Sequence, residues 1–377
     1  MNSSKIAVIG NSWFPNKPGG LDRYVYELVH ELTAEDQVNL FGVDLPAQSA
    51  IPHLNFTTVA QPTTPLLSRL VAACARARTP HLRQADAVNI HFALYGLAAL
   101  PYLPKGIPVT CHFHGPWAIE SQREGDSALK VWLKRQVEQR VYRRCDRFIV
   151  LSKAFGTILH QEYQVPWHKI HIIPGGVDTS RFTWDRSRQE ARQALGWPRD
   201  RFILFTPRRL VHRVGLDVLL EAMAQLDPAH PLWLAIAGKG PLREALEAKA
   251  AALGLGDRVK FLGFLPDADL PTAYQAADLA VMPSQSLEGF GLVLLEALAS
   301  GTPALCTPVG GMPEVIAPFS PALVTASPRA EAIATALDAA LTGGTALPER
   351  AACRQYAVDH FSWPVIAERV RQVLLAH

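Results

Sequence analysis

Short apolar runs alternate with longer amphipathic stretches along this chain, and that alternation fixes its fold class. KIAVIG (5–10) reads as a buried strand. After a Gly-Gly pair, LDRYVYELVHEL (21–32) repeats its apolar residues at helical spacing. QVNLFGV, AVNIHF, PVTCHFHG and RFIVLS follow as strands, with a basic helix over roughly 126–145 between the last two. Strands separated by helix-length patterns cannot pair as hairpins. They form a parallel sheet with helices on both faces. A second series begins near 201 with RFILFTPRRL and runs through LWLAIAGKG, VKFLGFL, LAVMPS and TPALCTPVGG, with helical stretches between. The polar, Pro- and Gly-containing segment 172–187 carries no helical period and reads as the linker. The last stretch, FSWPVIAERVRQVLLAH, is one more amphipathic helix.

The expected architecture is α/β, with two facing Rossmann-like, doubly wound domains. The expected boundaries are 1–178, 179–360 and a terminal helix over 361–377. A chain of 377 residues, 49% of them hydrophobic, supplies enough apolar residue for two cores. Ligands of such sheets bind beyond the carboxyl ends of the strands, so the default site is the cleft between the domains.

Charge removes several function classes. The formal net charge is only +3, which argues against a nucleic-acid partner. Residues 1–180 carry +4 and the remainder −1, so the first half is mildly basic. The five cysteines show neither metal-ligand nor redox spacing and read as reduced thiols of a cytoplasmic protein. The amino terminus passes directly into a strand without a signal-peptide apolar region, and no apolar run is long enough to span a bilayer.

SLEGFGLVLLEALASGTP (286–303) stands out as an apolar stretch whose only charges are Glu288 and Glu296. Gly289 and Gly291 flank Phe290, and without Cβ atoms their backbone can approach a ligand closely. A helix starting near Gly291 and Leu292 presents N–H groups suited to phosphate. Glu296, one to two turns in, can accept from the vicinal hydroxyls of a ribose, and Glu288 can reach hydroxyls beyond the phosphates. Sugar, diphosphate and ribose would then lie in order along about 10 Å. The competing reading makes Glu288 a helix cap and Glu296 a solvated side chain.

The Glu288-x7-Glu296 spacing resembles the signature of the retaining, nucleotide-sugar-dependent glycosyltransferases of family four, also called group 1. KPGGLDRYVYELVHEL, HFHGPW, VLSKA, IIPGGVDTSRF, RRLVHRVGLDVLLEA, AGKGPLR, VKFLGFLPDADLPTAYQAADLAVMPS and TPVGGMPE resemble further family blocks in the right order, so the likeness covers nearly the whole chain. It implies the GT-B fold, with the donor held mainly by the second domain and the last helix crossing back to the first.

The resemblance also implies roles residue by residue. Gly19 and Gly20 would face the donor diphosphate, where a Gly-Gly loop offers amides near a helix start. His114, directly before Gly, would lie beside the transferred sugar. His112 shares its strand face and reads as a supporting or buried histidine. Arg209 would bind the leaving diphosphate, while Arg208 is expected to face the opposite way and serve structure or surface. The family usually carries a lysine five residues after this arginine. Val214 stands there instead, and Arg213 is the candidate replacement. Backbone groups around Leu262 and Gly263 would bracket the base, which leaves UDP and GDP donors equally open. Asp267 and Asp269 form an Asp-x-Asp pair, but Asp269 reads as a helix N-cap and no metal is expected. No cofactor is expected beyond the nucleotide sugar as co-substrate.

The implied activity is transfer of a hexosyl unit, with retention, to a hydroxyl of a glycan, lipid-linked glycan or glycolipid. A same-fold epimerase or phosphorylase and a non-catalytic sugar-nucleotide-binding subunit remain alternatives. The basic helix, with Trp132 and Tyr142 interleaved, fits either a solvated face or peripheral contact with the anionic inner face of a membrane.

Overall fold

The structure is a computed structural model describing every residue except Met1, Asn2, Pro18, Glu124, Leu287 and His377. The chain forms two compact units. One comprises Met1–Gly176 with Trp363–His377, the other Val177–Ser362.

The first unit holds seven strands: β1 (Lys5–Ile9), β2 (Gln37–Val43), β3 (Leu54–Ala60), β4 (Ala87–Ile90), β5 (Val109–Phe113), β6 (Arg147–Val150) and β7 (Ile170–Ile172). They lie in the order β3-β2-β1-β4-β5-β6-β7, every neighbouring pair parallel. Its helices are α1 (Gly20–Leu32), α2 (Leu66–Arg76), α3 (Pro80–Arg83), α4 (Ala93–Ala99), α5 (Trp117–Arg123), α6 (Ala128–Tyr142), α7 (Lys153–Tyr163) and, from the end of the chain, α16 (Trp363–Leu375). Strand alternation divides the core. Ile6, Val8, Val38, Leu40 and Ala87 face α1 and α16. Ala7, Ile9, Val88, Ile90, Cys111 and Phe113 face the opposite side, which α2, α4, α6 and α7 cover.

The terminal helix belongs to this unit because Trp363, Ile366, Ala367, Val370 and Leu374 recur at helical spacing and are all buried in the α1-side core. A two-pronged ion pair anchors it: Arg371 Nε and Nη2 reach Asp36 Oδ2 and Oδ1 at 2.7 and 3.1 Å. Gly176 makes room for Trp363, since a Cβ there would stand 2.4 Å from the indole.

The second unit holds β8 (Phe202–Pro207), β9 (Leu232–Ala237), β10 (Val259–Gly263), β11 (Leu279–Met282) and β12 (Ala304–Cys306), in the parallel order β10-β9-β8-β11-β12. Its helices are α8 (Arg188–Leu195), α9 (Leu216–Ala224), α10 (Arg243–Ala252), α11 (Leu270–Ala276), α12 (Leu292–Ala299), α13 (Met312–Ile316), α14 (Ala330–Thr342) and α15 (Arg350–Phe361). In both sheets the winding reverses beside the first strand, between β1 and β4 and between β8 and β11. At such a switch point the flanking loops diverge and leave a crevice at the strands' carboxyl ends.

Three local expectations needed revision. LNFTTVA forms β3, which is absent from the strands expected above because its alternation is blurred by consecutive threonines at a sheet edge. Ile170–Ile172 adds an edge strand that runs into the first residue of the expected linker. Asp269 does precede α11 but makes no side-chain cap. Its φ and ψ of −91° and −15° are already helical, so its carboxylate cannot fold back over the first turn.

Candidate active site

In the second unit, the loops after β8 and β11 meet at the switch point. The β8 loop is sewn to its neighbours by backbone hydrogen bonds. Arg208 N donates to Ala237 O, Leu210 N to Lys239 O, and Gln285 N to Arg213 O, at 2.8, 3.0 and 2.8 Å. The Gly-Lys-Gly of AGKGPLR makes this approach possible. A Cβ at Gly238 would stand 2.0 Å from Arg208 O, and one at Gly240 2.3 Å from Leu210 O. These glycines seat the arginine loop.

Glu288 lies in the β11 loop. Its carboxylate pairs with the Arg208 guanidinium and accepts from Ser284 Oγ at 3.1 Å, while Arg213 Nη1 stands 4.0 Å away. Arg208 Nη2 also donates to Ser284 Oγ at 3.1 Å. Arg208, expected to face away, is therefore the arginine that meets Glu288. Arg209 is exposed. Successive residues leaving a strand point to opposite sides, so only one of the pair can turn toward the β11 loop. Val214 is 1% exposed and packs into the core, so this position offers no charge.

Glu296 is buried on α12, and Tyr274 of α11 donates to its Oε2 at 2.9 Å. That bond orients the carboxylate. Gly291 precedes α12 with φ of +86°, a conformation that favours glycine. Phe290 is buried against Phe361, so it anchors the loop with its ring and leaves only its backbone to a ligand. Leu292 opens α12. Below the loop, Gly311 N donates to Glu288 O at 3.1 Å, and a Cβ at Gly310 would lie 1.7 Å from that carbonyl. Gly263 ends β10 with φ of +73° and accepts from Gly238 N at 2.6 Å. The ladder skips Leu262 through a register shift between Phe261 and Gly263.

The first unit builds a different site at its own switch point. His91 follows β4, and His112 and His114 fall on alternate positions of β5 and its end, on the face covered by α1. Tyr24 Oη lies 3.2 Å from His112 Nε2, His112 Nδ1 lies 2.9 Å from Asn89 Oδ1, Asn89 Nδ2 lies 2.9 Å from His91 Nε2, and His91 Nδ1 lies 2.9 Å from His114 Nε2. The His91 and His112 rings stack at 4.4 Å. Burial holds all three imidazoles neutral, pushing His91 and His112 far below the usual histidine range and His114 down to about 4. His112 is buried, as anticipated. Tyr24, Asn89 and His91 were missed, although the period-2 spacing of Asn89 and His91 on a strand was visible.

Gly19 and Gly20 stand at the start of α1. Gly19 is extended, with φ of 171°, which any residue adopts, and a Cβ on Gly20 would meet nothing within 4 Å. Among the described residues, no three His, Cys, Asp or Glu gather into a set that could hold a metal ion. Asp267 pairs with Arg181 at 3.2 Å.

Residues 187–360 match the family Glycosyl transferases group 1, and residues 18–181 match Glycosyltransferase Family 4. The D-inositol 3-phosphate glycosyltransferase of Rhodococcus opacus is 30% identical over 379 residues, covering 93% of this chain and 84% of that protein. The chain belongs to the group 1 glycosyltransferases. Among other members, the GDP-mannose-dependent alpha-(1-6)-phosphatidylinositol monomannoside mannosyltransferase of Mycolicibacterium smegmatis is 29% identical over 96% of both chains. The HepE structure from Anabaena in complex with UDP-glucose superposes with a TM-score of 0.76 at 19% identity, covering 99% of this chain and 100% of that one. The GT-B fold of this glycosyltransferase is thus shared well beyond detectable sequence likeness. No helix among its described residues is long and apolar enough to cross a membrane.

Proposed function

We propose that this glycosyltransferase moves a hexosyl unit, with retention, from a UDP- or GDP-linked sugar to a hydroxyl of a glycan, lipid-linked glycan or glycolipid. The observation that carries the reading is the pair Glu288 and Glu296 on either side of the α12 start, with Arg208 and Arg213 converging on the first. In this reading Glu296, already oriented by Tyr274, receives the ribose hydroxyls. The amides of Phe290, Gly291 and Leu292 and of the Gly19–Gly20 loop, with Arg209 and Arg213, receive the diphosphate. Glu288 and His114 orient the sugar, and the backbone around Leu262 and Gly263 receives the base.

The bond from the anomeric carbon to the diphosphate oxygen breaks first, and negative charge grows on that oxygen beside the guanidinium groups. The acceptor hydroxyl then bonds to the same face of the anomeric carbon and its proton passes to the departing phosphate oxygen. No metal enters this reading, so a chelator leaves the rate unchanged. Of the proteins named above, one is by name GDP-mannose-dependent and one is solved with UDP-glucose, which supports a hexosyl donor with either base.

Peripheral contact with an anionic membrane is supported by exposed Leu66, Leu67 and Val71 on α2 and Leu129, Trp132 and Leu133 on α6, with Lys130, Arg140 and Arg143 exposed nearby in sequence. Three basic side chains of α6 pair within the protein: Lys130 and Lys134 with Asp126, and Arg135 with Glu162.

A binding-only subunit is the second reading, favoured by the buried Val214 where the family usually has a lysine. Thermal melting across UDP- and GDP-sugars tests donor binding. A donor at a hundred times its Kd adds about 2.7 kcal/mol of stability. Turnover with the donor so found then decides the matter: release of the nucleoside diphosphate supports the enzyme, and binding without release supports the subunit.

A further inference from the structure

We propose that His91 is a positioning residue that fixes the tautomer of His114, so that His114 offers a donor N–H from Nδ1 and cannot serve as a base through Nε2. The argument starts from Asn89, whose two amide atoms differ in kind. Its Oδ1 faces His112 Nδ1 and its Nδ2 faces His91 Nε2, each at 2.9 Å. An amide oxygen only accepts and an amide nitrogen only donates. His112 must therefore carry its proton on Nδ1, and its bare Nε2 accepts from the Tyr24 hydroxyl at 3.2 Å. His91 must accept at Nε2. A neutral imidazole has a single ring proton, so that of His91 resides on Nδ1, which donates across 2.9 Å to His114 Nε2. The proton of His114 is then on Nδ1.

Five side chains thus share one direction of donation, and none can reverse alone. The array is walled in. Tyr24 packs edge-on against Trp363 and His114, both at 5.1 Å between ring centres. Asn89, His91 and His112 are 0, 3 and 2% exposed, so water does not compete for these bonds. The neutral state that the argument needs follows from that burial.

The consequence for chemistry rests on the proposed placement of His114 beside the transferred sugar. With Nε2 occupied, His114 donates to a sugar oxygen, and proton removal from the acceptor falls to the departing phosphate. Deleting His91 should leave the ring of His114 in place and lose its orientation. Partners that orient metal-bound histidines matter by about tenfold to a hundredfold, and an effect of that size is expected here.

The test is nitrogen-15 NMR on full-length protein labelled at histidine, with His114→Gln used to assign the resonance. The expected spectrum of the parent shows His114 protonated at Nδ1 and bare at Nε2. His91→Phe, which keeps a flat ring over His112, should mix the two tautomers of His114. It should also lower kcat about tenfold to a hundredfold with KM for the donor changed less. A parent spectrum with His114 protonated at Nε2, or a tautomer unmoved in His91→Phe, overturns the proposal. The parent spectrum decides it even if the variant does not fold. It also decides independently of any transfer assay, so loss of the glycosyltransferase reading and loss of this one are separate results.

Discussion

The two switch points of this molecule share a topology and differ in chemistry. In the first unit the strand ends carry uncharged groups that satisfy one another: three imidazoles, an amide and a phenol in one hydrogen-bonded chain. In the second they carry opposite charges held close together, Glu288 against Arg208 with Arg213 beyond. A neutral array loses little by burial as long as every donor has an acceptor. A buried ion pair tolerates burial only while both partners remain. The first site is therefore built to hold orientation, and the second to hold charge.

The largest expected effect comes from neutralising the charged site. Glu288→Gln keeps an acceptor for Ser284 and removes the carboxylate, and should lower turnover by roughly a hundredfold to a thousandfold. Binding of the bare nucleoside diphosphate should hardly change. Glu296→Ala should do the reverse, weakening that binding about tenfold, or about 1.4 kcal/mol. Calorimetry with the diphosphate alone, set beside kcat, separates the two. If both variants behave like the parent, the two carboxylates do not form a clamp.

Next is the arginine pair. Arg208→Ala leaves Glu288 facing Ser284 and a distant Arg213, and the side chains involved are 9% and 12% exposed. Breaking such a pair should cost about 3 kcal/mol in urea denaturation. Arg209→Ala, at an exposed position, should change stability by less than about 0.5 kcal/mol and still reduce turnover. Equal stability in the two variants would mean that the Arg208–Glu288 pair contributes nothing to the fold.

This pair also marks how far the sequence could be read. The doubly wound pattern, most strands and the Glu-x7-Glu stretch were legible because periodicity and glycine spacing are local. Which of two adjacent arginines turns inward was not, because it depends on the twist of β8 and on Gly238 and Gly240 holding the loop down. The histidine array was half legible. His112 and His114 share a strand face by spacing alone, but their link to His91 and Asn89 depends on β4 being the neighbour of β5, which is a fact of topology. Edge strand β3 was not legible because its middle, Phe56, Thr57 and Thr58, is only partly buried and shows no clean alternation.

The first unit also buries the Glu138 carboxylate, and pH exposes it. Glu138 is buried on α6, where it accepts from Trp117 N, Ala118 N and the Tyr163 hydroxyl at 2.9, 3.2 and 2.7 Å. Burial outweighs those bonds and pushes its pKa up to about 7. The folded protein then holds a proton that the unfolded chain has lost, so this group's contribution falls as pH rises from about 4.5 to 7. His114, pushed down to about 4, works in the opposite sense: its contribution is complete above the usual histidine value and is lost as pH falls toward 4. In the parent the two slopes oppose each other. Glu138→Gln should remove one and leave stability rising from pH 5 to 7 by about 2 kcal/mol more than in the parent. Urea denaturation at both pH values measures it, and parallel slopes would place the Glu138 proton elsewhere.

The smallest expected effect gives the sharpest contrast between the units, because it compares glycines. Gly310 has no freedom: its φ is +60° and a Cβ would strike Glu288 O at 1.7 Å, so its identity is fixed by the fold. Gly20 has no such reason. It opens α1 with nothing within 4 Å of a Cβ, and alanine is the better helix former by about 1 kcal/mol. If protein packing were all that mattered there, Gly20→Ala would be neutral or slightly stabilising in every assay. If the space above Gly20 receives the donor diphosphate, the same methyl group should leave the melting temperature unchanged or a little higher and weaken donor binding several-fold, up to about tenfold. A variant that is as stable as the parent and binds the donor equally well would take the Gly19–Gly20 loop out of the site while leaving the carboxylate clamp of the second unit untouched.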